Sequence, residues 1–232
     1  RVLFRSVAGI IGAGGNVGAV AAGFLLKGLL DIQTCLMILG CLVSVAAFSV
    51  VLIRFSVEHK DKEKELYEQG INLIAGVDEV GRGPIAGPVT VAAVILPPQL
   101  IIEGLNDSKK LSPAKRDALY DEIMAKAVAV KVVSYGPEVI DRINIYEATR
   151  KAMYEAINTL PVKAEAVLVD AMPLPDLEVP VESLVKGDSK SASIAAASIV
   201  AKVTRDRYME SLDAEYPGYG FGIHKGYYTD LH

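Results

Sequence analysis

Apolar and polar positions along the chain follow two regimes that change near residue 57. Before it, SVAGIIGAGGNVGAVAAGFLL (6–26) and CLMILGCLVSVAAFSVVLI (35–53) run without a charged residue, and each is long enough to cross a bilayer, which predicts an apolar helical hairpin. Lys27 and Asp31 fall at its turn, while Arg1 and Arg5 precede it and Arg54, Lys60, Lys62 and Lys64 follow. That distribution expects both ends of the hairpin on the cytoplasmic side. Residues 58–70 are read as a charged linker. Beyond it, short β-branched runs alternate with helical stripes. Leu73–Val80 and Val89–Leu96 read as strands joined by GRGPIAGP (81–88), with a third strand at Val128–Tyr135. Ser112 followed by Pro113 is a helix start, and Ala114, Ala118, Leu119 and Ile123 make its apolar face.

A second helix is expected over Tyr146–Leu160, with Ile145, Ala148, Ala152, Met153, Ala156 and Ile157 at helical spacing. AVLVD (166–170) is a further strand, and SKSASIAAASIVAKVTRDRYMESL (189–212) a long helix whose alanines permit close approach to a sheet. Strands first, then alternating helices and strands, predict an α/β domain over residues 71–232 with a mixed sheet flanked by helices.

Composition sharpens this division. Of the 232 residues 51% are hydrophobic and the mean hydropathy is +0.33, an excess concentrated in the front segment. A net charge of −4 and a pI near 5.5 exclude nucleic-acid binding by bulk basicity and leave room for a local basic groove. Both cysteines, Cys35 and Cys41, lie in the apolar segment, which offers neither a disulfide framework nor a zinc site.

The candidate chemistry lies in acids placed where acids are costly. Asp78 and Glu79 interrupt an apolar strand, Asp170 ends AVLVD, and Asp188 opens the long helix after KGD. Gathered together they would repel one another unless a divalent cation compensates, and oxygen-only donors select Mg²⁺ or Mn²⁺ over zinc. Two such ions suit phosphodiester hydrolysis. Each acid also has an ordinary structural alternative, Asp188 as a helix N-cap and Asp170 as a strand-end turn; the Asp78-Glu79 pair has few.

AGVDEVGRGPIAGPV, LNDSKKLSP, VLVDAM, VKGDSKSASIAAASIVAKVTRDRYM and YPGYGFGIHKGYYT, in this order over residues 71–232, resemble the successive motifs of bacterial ribonuclease HII, the type 2 ribonuclease H family. The resemblance implies a ribonuclease H-like fold and an endonuclease that cuts the RNA strand of RNA/DNA hybrids. It also implies cutting 5' of single ribonucleotides embedded in duplex DNA, with Mg²⁺ or Mn²⁺ as cofactor. It makes Asp78, Glu79, Asp170 and Asp188 the metal-binding and catalytic acids. Gly81, Arg82 and Gly83 become the segment whose main chain senses the 2'-hydroxyl, Tyr227 the ring that stacks at the RNA–DNA junction, and Lys109 a phosphate contact that Lys110 shares. His224 and Lys225 border the same loop and are expected near the phosphates, His224 not as a general base. Arg205 and Asp206 are expected as a helix-surface pair and Asp107 as a turn residue.

The resemblance further implies a cytoplasmic monomer active in primer removal and ribonucleotide repair. Members of the family usually continue past HKGYYT with a helical region that helps hold the duplex, so this chain is read as C-terminally truncated. The stretch GAGGNVGAVAAG resembles the last spans of nitrate/nitrite carriers of the major facilitator superfamily. Two spans cannot build an alternating-access transporter, so residues 1–57 are read as a joining artefact or, if genuine, as a membrane anchor. The competing readings are a transporter fragment fused to the nuclease domain, and a module that binds hybrids without cutting them.

Overall fold

The computed structural model describes residues 61–98, 100–105, 108 and 111–229. The apolar hairpin expected over 1–57 lies outside these residues, as do Asp107, Lys109 and Lys110. Among the described residues no helix is long and apolar enough to cross a membrane.

Five strands form one mixed sheet in the order β3-β2-β1-β4-β5: β1 (Ile74–Val80), β2 (Val89–Ile95), β3 (Ala129–Tyr135), β4 (Ala166–Asp170) and β5 (Val181–Leu184). The first three make an antiparallel meander, and β4 and β5 run parallel to β1. The helices are α1 (Asp61–Glu68), α2 (Pro113–Lys126), α3 (Pro137–Ile143), α4 (Ile145–Asn158), α5 (Ala192–Glu215) and the short α6 (Phe221–His224). The mixed sheet flanked by helices matches the expected class. Strand β5 and helix α3 were not foreseen: VESL is short and half polar, and α3 buries no residue at all, so neither carries a period to read.

Side-chain alternation along β1 divides the core. Ala75 and Val77 pack on one face with Ala152, Met153, Ala156 and Ile157 of α4. Ile74 packs on the other with Ile194 of α5. The first half of α5 is buried nearly all round, from Ser193 to Ala201, as expected of a helix wedged between a sheet and further helices. Helix α2 is held there by the buried Leu119 and Ile123, with Tyr120 partly buried against the same cluster; Ala114 and Ala118, expected on its apolar face, are exposed.

Gly76 sets how closely α5 lies on the sheet. A Cβ at that position would stand 2.0 Å from the carbonyl carbon of Ser193, so only a glycine lets the first turn of α5 rest on β1. The segment expected as a charged linker contributes to the same arrangement. Leu66, Tyr67 and Ile71 pack on the cluster of Ile74, Leu168, Leu184 and Ile194. The Glu63 carboxylate accepts hydrogen bonds from the Ser191 hydroxyl at 2.6 Å and the Ser193 amide at 2.9 Å. Helix α1 thus caps the start of α5.

Candidate active site

The two parallel strands β1 and β4 bring the first acids together. Their register pairs Val77 with Val169, so Asp78 and Asp170 stand one residue further on, side by side at the carboxyl ends of neighbouring strands. Parallel strands open their carboxyl ends to ligands in sheets of this kind. Asp78 is buried and Asp170 half-buried. The Asp170 carboxylate accepts the amide of Gly187 at 2.7 Å, and this ties the tight turn Gly187–Ser189, which carries Asp188, to the end of β4. Ser191 caps α5 by accepting the Ile194 amide; Asp188, expected as a possible cap, stands before the helix in the turn.

Asp78 and Glu79 are positioned by the last residues of β1. The Glu79 amide donates to Asp78 Oδ1 at 2.7 Å, and the Glu79 carboxylate pairs with Arg82 at 3.3 Å. Burial pushes the Asp78 carboxyl well above the usual carboxylate range, and the charges of Glu79 and Asp170 push it the same way. The Glu79 amide and the hydroxyl of Ser198, on α5, oppose them by hydrogen bonding to the charged form. Burial comes first among these causes, and the two neighbouring anions show that three of the acids share one electrostatic environment.

Among the described residues no three His, Cys, Asp or Glu side chains are already gathered into a closed metal-binding set. Glu79 turns to Arg82 and Asp170 to Gly187. The donors nonetheless fit a hard divalent cation. All are carboxylate oxygens, and a cation would relieve the repulsion and burial that now work against ionised Asp78.

Beyond the acids the chain turns sharply at Gly81, where φ is +103° and a Cβ would stand 2.4 Å from the Pro88 carbonyl oxygen and 2.7 Å from Arg205 Nε. Glycine is the residue that tolerates both. At Gly83 the nearest atom to an added Cβ is Tyr227 Cε1 at 3.9 Å, so the Gly81-Arg82-Gly83 segment and Tyr227 face one another. Arg82 and Tyr227 are exposed. The Tyr227 ring has Lys202 Nζ 5.6 Å from its centroid and the Arg205 guanidinium 6.0 Å away, distances at which a cation is drawn to the ring face.

Arg205 corrects one expectation. It is fully buried, and it donates to the carbonyls of Pro88, Ala86 and Lys225 at 2.8, 2.9 and 2.8 Å. Burial lowers its pKa, with Tyr227 and Asp206 acting against that shift. Asp206 instead pairs with Lys202 at 2.8 Å. A surface pair was expected because both residues lie on one polar stretch; three carbonyls converging from distant loops are what draw the guanidinium inward. Gly226 adds to the same clamp by accepting the amides of Ile85 and Ala86.

His224 is buried and structural. Its Nε2 lies 2.7 Å from the Tyr219 carbonyl, and its Nδ1 accepts the Gly226 amide at 3.1 Å. Lys225 is bonded to Glu210 at 2.6 Å. Sequence reasoning missed Gly76 and Ser198 and placed Arg205 on the surface; for Ser198 the signal in the sequence was a hydroxyl within an alanine run of α5.

The family described as ribonuclease HII matches residues 75–232. The ribonuclease HII of Bacillus mycoides is 57% identical over 170 residues, which cover 73% of this chain and 66% of that protein. That of Bacillus cereus is 58% identical with the same coverage. The chain thus spans 66% of the length of these curated relatives. Among solved structures, the ribonuclease H2 of Pyrococcus horikoshii superposes with a TM-score of 0.59 at 31% identity, over 68% of this chain and 81% of that one. The structure of the PCNA:RNase HII complex from Archaeoglobus fulgidus gives a TM-score of 0.55 at 32% identity, over 68% and 83%.

Proposed function

The chain belongs to the ribonuclease HII family, and from that premise we propose that it is an endonuclease acting on the RNA strand of RNA/DNA hybrids and cutting 5' of ribonucleotides embedded in duplex DNA. The observation that carries the proposal is the placement of Asp78 and Asp170 side by side at the ends of β1 and β4, with the Asp188 turn tied to Asp170. Acids gathered at the carboxyl ends of two interior strands have no obvious structural use, and their burial costs stability.

Asp78, Glu79, Asp170 and Asp188 are the residues that would hold Mg²⁺ or Mn²⁺. When bound, such ions supply positive charge that activates water and stabilises the leaving oxygen of a phosphodiester. The protein's own groups set the substrate around them. Gly81 and Gly83, lacking side chains, let the main chain approach a ribose closely enough to test for its 2'-hydroxyl. Tyr227, facing Gly83, offers a ring on which the junction nucleotide stacks whatever its sequence. Arg82, exposed beside Glu79, and Lys109 are cations of the type that meets phosphates. Arg205 takes no part in the chemistry and keeps the two recognition segments at a fixed separation.

The test is a DNA duplex carrying one ribonucleotide, incubated with the 232-residue chain and Mg²⁺ or Mn²⁺, beside the Asp78→Asn variant. Cleavage 5' of the ribonucleotide is expected from the parent. Because outer-shell partners alone are worth ~10–100-fold, loss of a direct ligand is expected to exceed about a hundredfold, with duplex binding retained. A parent that binds but never cuts with either ion would overturn the proposal.

A further inference from the structure

A groove of 670 Å³ runs between α2 and α5, lined also by Ile223 and Lys225. Its walls carry three ion pairs. Lys202 bonds Asp206 at 2.8 Å, Arg207 bonds Asp117 at 3.0 Å, and Lys225 bonds Glu210 at 2.6 Å. Lys202 belongs both to this groove and to the recognition segment, because its Nζ lies 5.6 Å from the Tyr227 ring centroid. The groove therefore starts beside the ring proposed to stack at the junction.

The three pairs are not equally held. Lys202 and Asp206 are 16% and 17% exposed and form a sheltered couple. Asp117 and Glu210 are 52% and 60% exposed, and ion pairs so open to water contribute little to stability. An incoming anion can displace either acid at small cost, while the cations stay in place. The Arg207 guanidinium lies 4.6 Å from the Tyr120 ring centroid, within cation–π range, on a ring partly buried against the core. Lys225 also donates to the Gly222 carbonyl at 2.7 Å. A guanidinium presents five N–H donors in a planar fork, and the bond to Asp117 comes from Nη2.

We propose that this groove is a further nucleic-acid contact, in which Arg207 and Lys225 take backbone phosphates of the duplex flanking the junction and Asp117 and Glu210 are displaced. The inference rests on the reading of the chain as a nuclease of hybrid duplexes. Phosphates on a duplex release condensed counterions when a cation meets them. A lone carboxylate offers no such gain, so the exchange runs toward the nucleic acid. With a net charge of −4 the chain cannot hold a duplex by bulk attraction, and a local set of exchangeable cations supplies what the whole surface lacks.

Arg207→Gln, Asp117→Asn, their double variant and a control, Lys163→Gln, are made in the full chain. Lys163 pairs with Glu178 at 3.6 Å outside the groove, so its loss changes net charge by the same amount. Anisotropy of a labelled DNA duplex carrying one ribonucleotide is measured in chelator at stepped salt. KM and kcat are then measured with Mn²⁺, and thermal unfolding checks that each variant folds. Arg207→Gln is expected to weaken binding, to flatten the slope of log affinity against log salt by about 0.9, the value of one phosphate contact, and to raise KM more than it lowers kcat. Asp117→Asn should bind more tightly than the parent, and that gain should vanish in the double variant. An ion pair that served stability alone would not move affinity in opposite directions. A parental slope in Arg207→Gln, an Asp117→Asn gain that survives in the double variant, or an equal loss in Lys163→Gln would overturn the inference while parental cleavage stands. A parent that neither binds nor cuts the duplex would remove the functional assignment, and the role of the groove with it.

Discussion

Arg205 Nε donates to the carbonyl of Pro88 at 2.8 Å, from a helix position that is fully buried. The same guanidinium reaches Ala86 and Lys225, and so ties the loop after β1 to the segment that carries Tyr227.

Removing this strut should cost stability before it costs chemistry. Arg205→Ala strands three carbonyls, each losing a charge-assisted donor, and is expected to destabilise the domain by about 3 kcal/mol or more. Arg205→Lys should recover part of that, since one ammonium lacks the guanidinium fork. Urea unfolding measures it, and a midpoint equal to the parent's would mean that the two loops hold together without Arg205.

Gly76→Ala tests the seat of α5 on β1. The added methyl would meet the Ser193 backbone at 2.0 Å, which should lower stability by about 1–3 kcal/mol and reduce cleavage by displacing the Asp188 turn. Gly70→Ala isolates backbone strain from crowding: its φ is +85°, and nothing lies within 4 Å of a Cβ there. A melting temperature and cleavage rate of Gly76→Ala equal to the parent's would show that close seating is unnecessary.

Tyr227→Ala should slow cleavage at a single embedded ribonucleotide by about tenfold, the scale of one lost base–aromatic stack, and Tyr227→Phe should stay near the parent. If Phe is as slow as Ala in single-turnover assays, the hydroxyl and not the ring is the working part.

Acid stability offers a test remote from the acids of the site. Amides of Leu73 and Asn72 hold the Glu165 carboxyl below its usual pKa. A lowered folded pKa contributes stability at pH values above the unfolded one, and that contribution is lost as pH falls through the folded value. The parent should therefore melt above Glu165→Gln at pH 7, and the gap should close below about pH 4. A gap that is constant across that range would contradict the assignment.

Much of the framework was legible because apolar periodicity and caps are local. Strands β1 to β4 and helices α2, α4 and α5 could be located to within a residue or a few at each end, and an Asp-Glu pair inside an apolar strand advertised its own cost. What escaped was tertiary. Glu63 sits in a run so charged that it reads as a linker, yet its carboxylate caps α5. Arg205 looks solvent-facing until the carbonyls of Pro88, Ala86 and Lys225 are assembled around it. Gly76 looks like any strand glycine until the helix that rests on it is in place. In each case the deciding partner lies far away in the sequence.

The parallel pairing of β1 with β4 has a consequence for how the protein comes into being. Between these strands the chain must lay down β2, α2, β3, α3 and α4, so Asp78 and Asp170 are strangers until that long crossover has closed. A nascent or half-unfolded chain holds the carboxylates on separate pieces, and completion of the topology is itself the event that would create the proposed cation site.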